Sequence, residues 1–314
     1  MRAALFDRYG GPDVLRVGEL PDPSPGRGEV LVRVHAAALN PKDVLLRLGK
    51  LRFAASARFP KQVGYDWAGE AIAIGPGVTT VRKGDALYGM IQAMHGGACA
   101  ELAVVKVDEC ADKPRSAGFQ EAAATPLAGQ TALQALRDVA RAEPGMRVLV
   151  NGASGGVGSF AVPIAKILGL HVTTTSSAAN LAACRALGAD EALDYAEVDA
   201  LRRGDRWDVI FDVFGNRRFA EARVALRPGG TYVSTVIRGH VFASIARTLF
   251  TRPRARLVVV RSRRRDLATI AGYIDDGRLV PRIDSVHALD AIAAAEERVG
   301  SKHARGKVVV RIAS

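Results

Sequence analysis

Two hydrophobic rhythms divide the chain. Over the first 110 or so residues, apolar positions recur in short runs bounded by turn residues. Glu29-Val30-Leu31-Val32-Arg33-Val34-His35-Ala36 alternates polar and apolar side chains, the mark of a half-buried strand. Pro21, Pro23, Pro25, Gly26 and Gly28 lead into it and require a turn. A second run, Glu70 to Ile74, ends at Gly75-Pro76-Gly77, and Gly84-Asp85 and Gly96-Gly97 punctuate the next runs. Short strands at this spacing predict a β-rich, barrel-like unit. From Phe119 the pattern changes. Residues 119–142 are rich in Ala and Leu and broken only by Pro126 and Gly129, which predicts two consecutive helices. Strands are then predicted at 147–150, 171–175, 207–212, 229–234 and 256–261, with helices at 157–168, 179–187 and 266–276. Strands alternating with helices make βαβ units and a parallel sheet. The tail returns to the first style, with a strand near Ile283, a helix at 289–299 and a strand at 307–312. The expected class is α/β with a separate β-rich unit.

Composition narrows this picture. The chain has 314 residues, 48% of them hydrophobic and 24% charged, which excludes disordered, collagen-like and coiled-coil architectures. No uncharged apolar run approaches about 18 residues, so no membrane-spanning helix is expected. Met1 to Asp7 meets an acid before a signal-peptide core could form, so export is not expected. Cys99, Cys110 and Cys184 are scattered and odd in number, with no Cys-x-x-Cys pair. A reducing, cytoplasmic setting fits them. The net charge of +12 is concentrated: residues 238–265 hold nine Arg and no acid. Such a stretch suits nucleic acid, acidic lipid or another polyanion. Interleaved with Phe242, Ile245, Leu249 and Phe250, it equally suits an amphipathic surface helix with solvated arginines.

The sharpest chemical signal is Asn151-Gly152-Ala153-Ser154-Gly155-Gly156-Val157-Gly158, at a strand-to-helix junction. Ala153 stands where a dinucleotide-binding turn usually has its first glycine. Gly155 lets the backbone approach a pyrophosphate, and Gly158 lets the helix lie close to the strand. Unpaired N–H groups of Ser154, Gly155, Gly156, Val157 and Gly158 at the start of a helix would attract phosphate. A carboxylate about 20 residues on would hold the ribose of NAD, yet Ser176-Ser177-Ala178-Ala179-Asn180 contains no acid. Ser176, Ser177 and Asn180 are candidate donors to a 2′-phosphate. Asn180 also suits the start of a helix. NADP(H) is therefore the expected cofactor, with NAD(H) left open.

Taken together, these segments resemble the zinc-independent medium-chain dehydrogenases/reductases of the quinone oxidoreductase (zeta-crystallin-like) family. The resemblance rests on Tyr9-Gly10-Gly11-Pro12-Asp13-Val14-Leu15, Gly28-Glu29-Val30-Leu31-Val32, Ala38-Leu39-Asn40-Pro41-Lys42-Asp43 and Val63-Gly64-Tyr65-Asp66-Trp67-Ala68-Gly69-Glu70. It continues through the glycine turn, Leu187-Gly188-Ala189-Asp190, Asp194-Tyr195 and His303-Ala304-Arg305-Gly306-Lys307-Val308-Val309. It implies a GroES-like catalytic domain over 1–122, a Rossmann doubly wound cofactor domain over 123–276, and a GroES-like return segment over 277–314. It also implies a homodimer joined through residues 256–261. Two departures stand out: Pro163 replaces the usual Gln in the helix after the turn, and Ala179 stands where relatives often carry Arg.

The resemblance implies hydride transfer from NADPH to a quinone or an α,β-unsaturated carbonyl. Asn40 and Tyr65 are its candidate catalytic residues. Asn40 would orient the cofactor ribose or the acceptor oxygen, and Tyr65 would donate a hydrogen bond or a proton. A turn-capping Asn and an aromatic wall are the plainer readings of the same two residues. Thr131 is implied near the nicotinamide and Tyr195 at the cofactor, while Arg305 and Lys307 would close over its phosphates. Zinc-dependent cousins carry Cys at Asn40 and His at Tyr65; amide and phenol are poor zinc ligands, so no metal is expected. Without a Lewis acid, reduction of a polarised acceptor is easier than oxidation of a simple alcohol. An RNA-binding relative and a catalytically silent cofactor-binding relative are the alternatives.

Overall fold

The alternating runs become strands where the pattern places them. The structure, a computed structural model, describes residues 1–54, 56–236 and 239–312. Along the chain come β1 (Arg2–Phe6), β2 (Leu15–Glu19) and β3 (Glu29–Leu39). Helix α1 (Pro41–Arg47) is next, then β4 (Lys61–Gln62), β5 (Asp66–Ile74), β6 (Ala86–Met90), β7 (Leu102–Lys106) and β8 (Cys110–Asp112). β3 outruns its expected end by three residues because Ala37, Ala38 and Leu39 are all buried. One edge of β3 pairs with β5 along nearly its whole length, while β7 takes the first half of the other edge.

Helices α2 (Phe119–Ala123) and α3 (Pro126–Leu133) come next, and a π-helical stretch over Gln134–Val139 extends the second. Six strands and four helices then follow: β9 (Arg147–Asn151), α4 (Gly158–Ile167), β10 (His171–Ser176), α5 (Leu181–Ala186), β11 (Glu191–Asp194), β12 (Trp207–Asp212), α6 (Phe219–Arg223), β13 (Leu226–Ser234), α7 (Gly239–Arg247) and β14 (Arg254–Leu257). All six strands are parallel, in the order β11-β10-β9-β12-β13-β14. Numbered within the sheet this is 3-2-1-4-5-6, the doubly wound order whose ligand crevice opens where the winding reverses, at β9 and β12. Val148, Leu149 and Val150 of β9 are buried because helices cover such sheets on both faces.

Helix α8 (Arg264–Asp275), β15 (Ile283–Ala288), α9 (Ile292–Gly300) and β16 (Lys307–Arg311) complete the chain. β16 takes the second half of the free edge of β3, with Val308 opposite Leu39, and β15 pairs beyond it. The β-rich part is thus a seven-stranded sheet plus a three-stranded one, β2-β1-β4.

Two compact units result: Met1–Gln130 with Arg261–Ser314, and Thr131–Val260. The borders differ from the expected 122/123 and 276/277. The reason at the second border is α8: its Leu267 and Ala271 pack in one cluster with Ala36, Ala68 and Val309, and Tyr88 donates to the Leu267 carbonyl at 2.6 Å. The last strand of the parallel sheet also differs, running over 254–257 rather than 256–261. Its pairing with β13 ends at Ser234, opposite Leu257, and only the Val258 N–H continues it.

The basic segment is not a single element. Arg238 lies outside the described residues. Helix α7 is amphipathic as the pattern allows, burying Val241 and exposing Phe242; Arg254 and Arg256 sit on β14, and Arg264 and Arg265 open α8. No described helix is long and apolar enough to cross a membrane.

Candidate functional site

In the parallel-sheet unit, β9 ends at Asn151 and the chain turns through Gly152, whose φ of 88° favours glycine. A Cβ at Gly158 would lie 2.2 Å from the Gly152 carbonyl oxygen and 2.6 Å from the Ala153 Cα, so only glycine closes this turn. At Gly155 a Cβ would meet nothing nearer than 3.6 Å. The backbone there is open to an approaching group. Among the described residues no partner takes the N–H of Gly156, Val157 or Gly158. Three consecutive free donors at the start of the ten-residue helix α4 form an anion site. Pro163 lies within α4, beyond the first turn at this end, and leaves it intact.

Around the turn, Asn180 Nδ2 donates to the Ser154 hydroxyl at 3.2 Å and to the Ser177 hydroxyl at 3.1 Å. Asn180 precedes α5, but its side chain caps nothing, and its buried Oδ1 has no partner. An orphaned acceptor beside the glycine turn fits a ribose hydroxyl, which can donate to it. Ser176 departs from expectation: buried as the last residue of β10, it donates to the Ser177 carbonyl and accepts from the Cys184 thiol. Tyr195 is 58% exposed next to it, its N–H on the Ser176 carbonyl. Thr131 is buried in α3.

Sequence reasoning missed the polar network beneath this turn. Asp212, fully buried at the end of β12, accepts from Asn151 Nδ2 and from the Tyr232 hydroxyl, both at 2.7 Å, and from the Gly215 N–H at 2.9 Å. Thr175 donates to Asn151 Oδ1 at 2.7 Å. These bonds tie the ends of four strands into one floor. The available signal was an acid closing the otherwise apolar run Val209-Ile210-Phe211-Asp212.

In the β-rich unit, Asn40 links β3 to α1, and its N–H bonds Asp43 Oδ2 at 2.8 Å, half of a capping box. Asn40 is only 3% exposed. Its Nδ2 donates to Asp66 Oδ2 at 2.9 Å, and its Oδ1 accepts from the Lys307 ammonium. Lys307 also pairs with Asp66 Oδ2 at 3.0 Å, and the Leu127 N–H bonds Asp66 Oδ1 at 2.9 Å. This corrects two expectations. Lys307 does not reach out over phosphates; it is 3% exposed because Asp66, fully buried, needs its charge. Asn40, expected to orient the cofactor ribose or the acceptor oxygen, has both ends of its amide engaged by Asp66 and Lys307. Arg305 is exposed, with its backbone N–H on Asp284.

Tyr65 donates its hydroxyl proton to the Met94 carbonyl at 3.2 Å. Burial, and then the Asp43 charge, push its pKa up, so it is a poor proton source. The Lys42 ammonium sits 3.6 Å from the centroid of its ring. His95 contacts the Gly96 carbonyl at 2.8 Å. Among the described residues no three His, Cys, Asp or Glu side chains are grouped to hold a metal. The donor set itself does not suit zinc: an amide, a phenol, and a carboxylate already paired with an ammonium.

Asp43 carries a pH effect of its own. Buried, facing Glu296 and Asp66, and accepting from the Asn40 and Gly64 N–H groups, it is pushed up to about 7, burial being the main cause. The folded state thus keeps a proton that the unfolded chain releases near pH ~4. This contribution to stability is complete below that pH and is lost as pH rises through about 7. Asp43→Asn should remove it. The denaturant midpoint of the variant should gain on that of the wild type between pH ~4 and ~8. A gap that moves the other way would mean that Asp43 is stably ionised.

Comparison with known proteins places these two sites in context. The family described as alcohol dehydrogenase GroES-like domain matches residues 26–134, and that described as zinc-binding dehydrogenase matches 187–310. The chain is 32% identical to the chloroplast envelope quinone oxidoreductase homolog of Arabidopsis thaliana, over 99% of this chain and 98% of that one. It is 34% identical to the chloroplastic NADPH-dependent alkenal/one oxidoreductase of the same plant, over 99% of this chain and 79% of that one. The solved quinone oxidoreductase of Coxiella burnetii is 31% identical and superimposes with a TM-score of 0.91, covering 100% of this chain and 99% of that one.

Proposed function

Because the chain belongs to the medium-chain dehydrogenases/reductases, in their quinone oxidoreductase group, we propose that it reduces a quinone or an α,β-unsaturated carbonyl with NADPH. The observation that carries this reading is the glycine turn at the reversal point of the 3-2-1-4-5-6 sheet, open at Gly155 and closed tightly at Gly158. When bound, the reduced nicotinamide supplies hydride.

The remaining roles belong to the chain. The N–H groups of Gly156, Val157 and Gly158 bind the pyrophosphate. Ser154, Ser177 and Asn180 hold the adenosine-side ribose and its 2′-phosphate; Ser176, turned into the core, stands outside this set. Residues 176–180 contain no carboxylate to repel that phosphate, which favours NADPH over NADH. Asp212 keeps the floor of the turn in register through Asn151 and Gly215. In the β-rich unit, the Asp66–Lys307–Asn40 group fixes the start of α1, and Tyr65 stands beside it as an aromatic wall.

We also infer pairing of two copies along the outer edge of β14, whose one strand neighbour among the described residues is β13. A reducing compartment suits three buried free cysteines. Nucleic acid is not favoured. Arg263 and Arg265 lie within 4 Å of Asp266, and Arg264 bonds Thr80, so these arginines are partly engaged within the protein.

The test is loss of reduced-nicotinamide absorbance with a panel of quinones and enones, using NADPH and NADH in parallel, on protein whose mass in solution is measured against twice 33.3 kDa. Turnover that scales with acceptor and a tighter NADPH dissociation constant are expected. No oxidation with any acceptor would overturn the enzymatic reading, and equal constants would overturn the NADPH preference.

A further inference from the structure

Helix α7, in the parallel-sheet unit, is apolar on two sides. Its inner side is committed to the sheet. Val241 is buried, and Ile245 packs against the cluster that holds Leu226, Tyr232 and Ala255. The buried Thr248, just past the helix, donates to the Ser244 carbonyl at 2.8 Å and accepts from the Ala255 N–H at 2.9 Å. A helix fastened in this way should turn polar side chains to water. Instead Phe242, Ala243 and Ala246 are exposed on α7, and the turn that follows adds Leu249 and Phe250. Phe250 is 91% exposed, so hardly any of its ring is covered by protein. Large apolar side chains gathered at one exposed place mark a contact surface.

The charge around them has one sign along the chain. Residues 239–260 contain Arg247, Arg252, Arg254 and Arg256 and no Asp or Glu. Arg247 and Arg252 are exposed, and among the described residues neither has an ion-pair partner. Exposed aromatics flanked by uncompensated cations are what an interfacial helix presents to a negatively charged lipid surface.

We propose that the outer side of α7 and the turn after it seat the protein on an anionic bilayer. Phe242, Leu249 and Phe250 enter the headgroup layer, and Arg247 and Arg252 meet the lipid phosphates and carboxylates. The protein lies on the membrane and does not cross it: α7 has nine residues, where a span needs about 20. A fluid layer suits Phe250, because lipid can close around a side chain that stands out from the surface. The docking side of α7 is also separate from the outer edge of β14, where two paired copies would join backbone to backbone. No cofactor and no turnover enter this proposal, so it stands apart from the reductase reading.

The experiment sediments the full chain with phosphatidylcholine vesicles, with and without about 30% phosphatidylserine. The wild type should be carried down by the anionic vesicles far more than by the neutral ones, and should be released as added salt screens the attraction. The double variant Phe242→Gln, Phe250→Gln should lower the partition coefficient at least tenfold. The double variant Arg247→Ala, Arg252→Ala should lower it about 25-fold, or about fivefold per cation. Phe53→Gln removes an aromatic that is 84% exposed in the β-rich unit, and should change nothing. All five side chains are exposed, so the thermal midpoints should agree within a degree or two. A wild type that stays in solution beside anionic vesicles would overturn the proposal. So would a Phe pair within about threefold of the wild type, or a Phe53→Gln variant that loses as much as the pair. A Phe pair that changes the mass in solution but not the vesicle partition would give the face to a second copy, and overturns it too. If the Phe pair fails to fold, the arginine pair decides, since an unchanged partition there also refutes docking.

Discussion

Gly155→Asp should abolish cofactor binding while leaving the fold as stable as before. The position has room for a side chain, since the nearest atom to a new Cβ is the Gly152 oxygen at 3.6 Å. The damage is electrostatic. A carboxylate would stand where the pyrophosphate approaches, beside the free N–H groups of Gly156 to Gly158. At an effective dielectric of about 20, two unit charges about 4 Å apart repel by about 4 kcal/mol, or roughly 1000-fold in affinity. The thermal midpoint of the protein without cofactor should stay within a degree or two. The neighbouring substitution Gly158→Ala should do the opposite first: its Cβ would lie 2.2 Å from a backbone oxygen, so stability drops before binding can be judged. Titration of NADPH fluorescence alongside calorimetry separates the two. If Gly155→Asp bound NADPH normally, the phosphates would have to lie elsewhere.

The second large effect is expected at Lys307. Replacing it by Met keeps much of the stem volume but leaves the carboxylate of Asp66, fully buried, without its counter-ion. Removing one partner of a buried pair costs about 3–5 kcal/mol, because the remaining charge has no water to turn to. Urea denaturation should show this loss. The double variant Lys307→Met, Asp66→Asn should recover most of it, since an asparagine can still accept from the Leu127 N–H. If the single variant lost less than about 1 kcal/mol, the pair would be solvated and its structural role would fail.

Much of this was legible in the residues. The glycine turn, the alternation of strand and helix, and the return of the chain to its first style at the end all obey local rules, and the observed sheet order agrees with them. Ser154, Ser177 and Asn180 are close in sequence to strand ends, so a parallel sheet brings them together. What local reasoning could not supply was partnership across the chain. Lys307 read as a surface base because its partners, Asn40 and Asp66, are more than 240 residues away. Asp212 and Asn151 are 61 residues apart, and their bond exists only once β9 and β12 are neighbours. The unit border slipped for a similar reason. Helix α8 has the pattern of any amphipathic helix, and only its contacts with Ala36, Ala68 and Val309 assign it to the β-rich unit.

The two halves of the free edge of β3 are filled by strands from far apart, β7 and β16. On the ribosome this imposes a schedule. The middle unit is one uninterrupted stretch and has every strand it needs before α8 emerges. The β-rich unit must wait with half an edge bare and Asp66 lacking its cation until residues 307–311 leave the exit tunnel. Nascent molecules therefore complete the parallel-sheet unit first and the β-rich unit last, and a chaperone that shields open strand edges would find its target in that interval.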